Sequence, residues 1–136
     1  MAANNKPDAL SRDPSKTSET AARVFSNIVE LWGLRQTEAM TLLGYDESNR
    51  STYYKWKRDP AGSRLSKEKL ERLSYIFGIY KALQILLPQP ASADAWLKKP
   101  NHAPLFGGNS ALDRMLSGNV ADLYEVRRYL DAQRGF

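Results

Sequence analysis

The sequence predicts an all-α protein, and three observations lead to that class. From Glu19 onward, apolar residues recur at intervals of three and four, which is the period of an amphipathic helix. No segment alternates apolar and polar residues as a half-buried strand does. Glycines and prolines divide the periodic segments into pieces of helical length.

The composition excludes several classes of site. The chain has 136 residues and no cysteine, so disulfides and thiolate metal sites are ruled out. Residues 1–17 hold no apolar stretch of the kind found in signal peptides. The longest apolar stretch, residues 82–87, is far shorter than the roughly 20 residues of a membrane-spanning helix. We therefore expect a soluble cytoplasmic protein.

The N-terminal part is predicted to be a tail followed by one helix. Residues 1–17 are polar and predict a flexible tail, with a DNA-contacting arm as the alternative. The helix is expected to begin at Glu19, with Ser18 as its N-cap, and to end at Gly33. Its predicted inward face consists of Ala21, Val24, Phe25, Ile28, Leu31 and Trp32.

Two shorter helices should follow. The first is expected from Gln36 to Leu43, with Gly44 ending it in a left-handed conformation. After a turn-rich stretch, the second should run from Arg50 to Lys57, capped by Ser48 or Asn49. Asp59-Pro60 stops it, because proline cannot continue a helix.

The second half of the chain predicts four further helical segments. Ser66 begins a long apolar stripe that ends at Leu87, as one helix or as two helices broken at Gly78. A short helix is expected over residues 92–99. Ser110 and Asp113 form a capping-box pattern before another short helix, which should reach Leu116. The last amphipathic helix is defined by Val120, Leu123, Val126 and Leu130.

Positive charge is concentrated in one window. Residues 50–72 hold eight Lys and Arg but three Asp and Glu, a net charge of +5 that equals the formal charge of the whole chain. A cationic surface on a helix attracts nucleic acid, because neutralising phosphates releases counterions. The window begins where the second helix of a helix-turn-helix would begin.

The stretch from Gln36 to Trp56 resembles the helix-turn-helix of Xre/Cro-type regulators, and residues 18–65 are expected to form that domain. Thr52, Tyr53 and Trp56 are similar to the T-I-x-x-W spacing of the recognition helix, although the turn after Gly44 is about three residues longer than usual. The alternative is a helical domain that kept the fold without binding DNA. The candidate DNA-binding residues are Arg50, Ser51, Thr52, Lys55, Lys57, Arg58 and Arg64.

Two later stretches, residues 95–101 (AWLKKPN) and 105–113 (LFGGNSALD), carry a second resemblance. They are similar to the C-terminal toxin-binding domain of Xre antitoxins from RES–Xre toxin–antitoxin pairs, which are related to the MbcA and ParS antitoxins. Residues 66–136 would form this small helical domain. The resemblance implies an antitoxin that covers the substrate pocket of an NAD-consuming RES-domain toxin and represses its own operon. Because a monomeric helix-turn-helix buries a small interface, we also expect a homodimer on palindromic operator DNA.

The candidate toxin-binding residues lie on the last helix and the tail, where arginine and aromatic side chains typical of interfaces cluster. They are Tyr124, Arg127, Arg128, Arg134 and Phe136. The alternatives are a solvated helix face and a frayed terminus. Gly107-Gly108 is interpreted as letting the backbone pass close to Trp96.

No enzymatic constellation is present in the sequence. The single histidine, His102, lies in a proline-rich loop, and no cofactor or metal site is expected. Two other functions stay open at this stage. One is a stand-alone helix-turn-helix regulator whose C-terminal half dimerises or senses a ligand, and the other is a helical adaptor without a DNA function.

Overall fold

The computed structural model describes residues 14–136 and confirms the all-α class, with seven α-helices and no strand in that range. The helices are α1 (Pro14–Leu31), α2 (Gln36–Leu42), α3 (Arg50–Arg58), α4 (Lys67–Leu86), α5 (Pro90–Trp96), α6 (Ala111–Met115) and α7 (Val120–Gln133). A short 3₁₀ helix, Glu47–Asn49, precedes α3. Of residues 1–17, predicted as a flexible tail or a DNA-contacting arm, 1–13 lie outside the described residues, and 14–17 belong to α1.

The start of α1 differs from the prediction. The helix already includes Pro14, so residues 14–17 are helical and Ser18 is not an N-cap. Ser18 is instead buried, with 3% of its surface exposed. Its hydroxyl accepts a hydrogen bond from Trp56 Nε1 at 2.9 Å and donates to the Ser63 carbonyl at 3.2 Å. The Ser18 hydroxyl therefore satisfies the buried indole N–H of Trp56, which would otherwise cost free energy.

The buried face of α1 is shifted slightly from the predicted stripe. Phe25, Ile28 and Trp32 are buried as expected. Leu31 is 49% exposed, however, and Val29 is buried in its place. The shift reflects packing against α3 and α4: the Phe25 ring lies 6.1 Å from Trp56 and the Trp32 ring 6.2 Å from Tyr80.

The long turn between α2 and α3 is a defined structure. Gly44 has the predicted left-handed conformation, with φ of 79°. Asn49 is the N-cap residue of α3, as predicted, but its side chain makes no capping hydrogen bond there, and neither does that of Ser48. They close the 3₁₀ helix instead: the Ser48 N–H donates to the Asp46 carboxylate at 2.9 Å, and the Asp46 N–H donates to Asn49 Oδ1 at 2.7 Å. The additional residues therefore form a capped turn that leads directly into α3.

α4 is one continuous helix, which decides the question left open at Gly78. Ser66 is its N-cap and accepts a hydrogen bond from the Lys69 N–H at 3.2 Å. The helix is buried on more than one side, since Ile79 and Ala82 are fully buried beside the predicted Ile76 and Leu83. α4 packs against α1, α5 and α7, so it is the element shared by both halves of the chain.

The C-terminal half forms a compact group of short helices around Trp96. α5 starts at Pro90 and ends at Trp96, earlier at both ends than predicted. The predicted capping box of α6 is confirmed, with Ser110 and Asp113 exchanging hydrogen bonds of 3.0 and 3.2 Å. Trp96 is half-buried and contacts Phe106 and Tyr129 through their rings.

Glycine is required at positions 107 and 108 for a different reason from the one predicted. Gly107 and Gly108 have φ values of 59° and 95°, which side chains rarely adopt. A Cβ on Gly107 would meet nothing within 4 Å, and one on Gly108 would meet only His102. The glycines are therefore required by the backbone conformation of the turn and not by a close approach to Trp96.

Candidate nucleic-acid and protein interfaces

The outer face of α3 is polar and cationic. Tyr53 and Trp56 point into the core and have no more than 1% of their surfaces exposed. On the opposite side, Ser51, Lys55 and Arg58 form one exposed stripe. Thr52 is exposed beside it, and Arg64 is exposed in the loop that follows the helix. Within residues 14–136, Lys55, Arg58 and Arg64 have no ion-pair partner, so their charges are available to a ligand.

Lys57 lies at the edge of this face and does not point outward as the sequence predicted. Its side chain is half-buried, and Nζ lies 3.4 Å from Gln36 Oε1 and 5.8 Å from the centre of the Tyr53 ring. Burial lowers the pKa of its ammonium group. The same Gln36 oxygen accepts a hydrogen bond from the Tyr53 hydroxyl at 2.6 Å. Lys57 therefore joins the start of α2 to α3.

Arg50 is exposed at the first position of α3 and is held by two neighbours. Its Nη1 lies 3.4 Å from both carboxylate oxygens of Glu47. Its guanidinium carbon lies 5.5 Å from the centre of the Tyr54 ring. The sequence analysis did not predict Glu47 and Tyr54 as partners of Arg50. Their spacings of three and four residues from Arg50 are those at which side chains meet on a helix.

Two of the eight basic residues in the charged window do not contribute to an exposed cationic surface. Arg72 is 7% exposed and donates to the Leu42 carbonyl at 3.4 Å, to the Gly118 carbonyl at 2.9 Å and to Glu68. Lys69 pairs with Glu68 at 3.3 Å and lies 4.2 Å from the centre of the Tyr45 ring. The net charge of the window therefore overstates the charge that a ligand meets.

A second set of candidate residues lies on α7. Tyr124 is 45% exposed, and its ring packs edge-on against Tyr75 at 5.7 Å. Arg128 is exposed. Arg127 is partly buried, because it lies across α4 where Gly78 has no side chain, and a Cβ there would come within 2.4 Å of its guanidinium. Arg127 donates to the Ser74 carbonyl at 3.2 Å.

The C-terminal tail folds back onto the end of α7. Asp131 organises it, because its carboxylate pairs with Arg134 at 3.6 Å and its carbonyl accepts from the Phe136 N–H at 3.0 Å. The Arg134 guanidinium carbon lies 4.6 Å from the centre of the Phe136 ring, which is itself 79% exposed. The tail thus presents an apolar ring beside a guanidinium. Asp131 also pairs with Arg127 at 3.5 Å. It was not among the candidates, although its spacings of four and three residues from Arg127 and Arg134 predict ion pairs on a helix.

No group of three or more His, Asp or Glu side chains in residues 14–136 is placed to hold a metal ion. His102 is exposed in its loop. Among the helices of the same range, none is long and apolar enough to cross a membrane.

The fold and the two surfaces define a helix-turn-helix protein with an added C-terminal interaction domain. Comparison with known proteins gives the family. Residues 17–78 match the antitoxin Xre-like helix-turn-helix domain, and residues 82–135 match the antitoxin Xre/MbcA/ParS C-terminal toxin-binding domain. The uncharacterised protein y4oB of Sinorhizobium fredii (strain NBRC 101917 / NGR234) is 46% identical over 127 residues, which cover 89% of this chain and 94% of that relative. The chain belongs to the Xre-type antitoxins.

Proposed function

We propose that this antitoxin neutralises an NAD-consuming RES-domain toxin in the cytoplasm and represses its own operon through α3. The observation that carries the proposal is the presence of two separate candidate surfaces on one hydrophobic core. One is the cationic stripe of α3, and the other is the arginine and aromatic surface of α7 and the tail. The first surface lies within the residues that match the helix-turn-helix domain, and the second lies almost entirely within those that match the toxin-binding domain.

The DNA-binding surface is proposed to work through the exposed residues of α3 and the loop after it. A recognition helix lies in the major groove and contacts base edges through its N-terminal residues. Arg50, Ser51 and Thr52 occupy those positions. Lys55, Arg58 and Arg64 are proposed to contact phosphates, which position the protein without specifying sequence. Lys57 supports this surface from its edge, where it also bonds Gln36.

The toxin-binding surface is proposed to include Tyr124, Arg127, Arg128, Arg134 and Phe136. Arginine matches the pyrophosphate geometry that an NAD pocket must accept, because its fork makes paired hydrogen bonds to phosphate oxygens. Phe136 offers an exposed ring that gains free energy when a partner buries it. The Asp131 carbonyl holds the Phe136 backbone and the Arg134 guanidinium lies over the ring, so less conformational entropy is lost on binding.

The operator is proposed to be palindromic and bound by a homodimer. A single helix-turn-helix buries a small area on DNA, and two-fold symmetric half-sites increase it. Light scattering of the purified chain measures the oligomeric state. A monomer at the concentrations that retard operator DNA would contradict this part of the proposal.

The proposal is tested by co-expression with the protein encoded in the adjacent reading frame. That protein alone should arrest growth and deplete NAD⁺, and the full-length antitoxin should restore both. Deletion of residues 133–136 should abolish the restoration. Lys55→Ala is the matched control, because it should still neutralise the toxin while binding the upstream DNA less tightly. Full neutralisation by the truncated chain, or an adjacent protein that does not consume NAD⁺, would refute the respective part.

A further inference from the structure

We propose that Arg50 reads one guanine in each operator half-site, with Glu47 and Tyr54 holding its guanidinium in position. This inference rests on the proposed DNA-binding function and assigns sequence readout to one side chain of that surface. It separates Arg50 from Lys55 and Arg58, which are proposed to supply phosphate contacts.

The first argument is the hydrogen-bonding edge that Arg50 leaves open. Glu47 engages Nη1 alone, at 3.4 Å from each carboxylate oxygen. Nε and Nη2 make no hydrogen bond with any residue in the range 14–136. These two nitrogens form one edge of the planar guanidinium group. Guanine presents N7 and O6 side by side in the major groove, and a paired arginine contact is the commonest specific contact to this base.

The second argument is that both supports lie on helical backbone next to Arg50. Glu47 belongs to the 3₁₀ helix that Asp46 caps. Tyr54 packs edge-on against the buried Tyr53 at 5.1 Å, and the Arg50 guanidinium lies over the Tyr54 ring. A guanidinium held from two sides loses less conformational entropy when it binds a base. The longer turn after Gly44 supplies Glu47, so the departure from the usual spacing has a direct consequence for readout.

The third argument is electrostatic. The Glu47 carboxylate offsets the charge of Arg50 but leaves its Nε and Nη2 donors free, so Arg50 should contribute little to the salt-dependent attraction of phosphates. Lys55 and Arg58 have no such counter-charge among the described residues and keep their full attraction. Arg50 is therefore suited to specificity, and the two other side chains are suited to general affinity.

The test is selection of bound sequences from a pool of duplexes with randomised positions, using the full-length chain. Wild type should select guanine at one position per half-site. Arg50→Ala should lower the preference for that base by roughly tenfold. Arg50→Lys should lose the preference as well, because lysine keeps the charge but has no fork. Glu47→Gln and Tyr54→Leu should weaken the same preference, and Glu47→Gln should raise affinity for unrelated DNA.

Lys55→Ala is the contrasting variant. It should weaken binding to all sequences alike and lower the slope of log affinity against log salt by about one unit, while the base preference stays unchanged. Helical circular dichroism of each variant verifies folding. If folded Arg50→Ala selects the same base as wild type, the inference is wrong while DNA binding stands. If wild type binds no duplex, the DNA-binding function fails and the inference fails with it.

Discussion

The guanidinium of Arg72 donates a hydrogen bond of 2.9 Å to the carbonyl of Gly118, which lies in the turn before α7. The same group donates to the Leu42 carbonyl at the end of α2, at 3.4 Å. A Cβ on Gly44 would lie 2.7 Å from its central carbon. One buried side chain therefore connects the helix-turn-helix, α4 and the toxin-binding domain. The two surfaces described above are fixed relative to each other in part by this contact.

Arg72→Met should destabilise the protein by about 3 kcal/mol, because a buried and a partly buried carbonyl lose a charged donor. Urea unfolding followed by circular dichroism measures the change. Lys67→Met on the exposed face of the same helix is the control and should change the free energy of unfolding by less than about 0.5 kcal/mol. Equal effects of the two substitutions would show that the Arg72 contacts do not stabilise the fold.

Ser18→Ala should cost about 1–2 kcal/mol, since it leaves the buried Trp56 indole N–H without its acceptor. Thermal and urea unfolding measure the loss. Ser26→Ala, which removes a hydroxyl from the same helix but breaks no side-chain hydrogen bond found in residues 14–136, should be neutral or slightly stabilising. A neutral Ser18→Ala would mean that the indole N–H finds another partner.

Gly78 and Arg127 should be energetically coupled. Alanine normally stabilises a helix interior by about 1 kcal/mol relative to glycine. In Gly78→Ala the new Cβ would displace Arg127 from its hydrogen bond to the Ser74 carbonyl, so most of the stabilisation expected from alanine should be lost. In an Arg127→Ala background the full gain should appear. A double-mutant cycle measures the coupling, and additive effects would contradict the contact.

Glu38 should make the stability of the protein depend on acidic pH. The backbone N–H of Arg35 donates to the Glu38 carboxylate at 2.9 Å. This hydrogen bond lowers the pKa of Glu38, because it outweighs the opposite effect of partial burial. A carboxyl with a lowered folded pKa stabilises the protein fully above its ordinary pKa of about 4.3, and the stabilisation is lost as the pH falls through the folded value.

The measurement compares wild type with Glu38→Gln in urea at a series of pH values from neutral to about 3. The difference between their free energies of unfolding should be largest near neutral pH and should shrink below pH 4.3. Glu30→Gln, an exposed substitution at the end of α1, serves as the control. A difference that stays constant over the whole range would rule out a stabilising role for the ionised Glu38.

Much of the fold could be predicted because its signals are local. Gly44 ends α2, and Ser110 with Asp113 starts α6, through interactions that span only a few residues. The outward stripe of α3 follows from the spacing of Tyr53 and Trp56. Signals of this kind depend on backbone conformation and helical period, which the sequence carries directly.

The errors occurred where a distant part of the chain satisfies a local residue. Serine is a residue type that commonly caps helices, yet Ser18 lies inside α1. Its hydroxyl is hydrogen-bonded there to Trp56 and Ser63. Lysine is typical of protein surfaces, yet Lys57 is half-buried at the edge of the core, where it contacts Gln36. Arg72 and Lys69 were counted toward a cationic surface that they do not form.

By itself, the sequence determined the helical class, most helix ends and the presence of two surfaces of different chemistry, because periodicity and capping act within a few residues. Only the tertiary structure decided that α4 continues through Gly78, since the space of the missing side chain is filled by Arg127 from α7. It also decided which charges face outward. Whether a charged side chain faces outward depends on burial and on hydrogen bonds between segments far apart in sequence. A local sequence pattern does not contain this information.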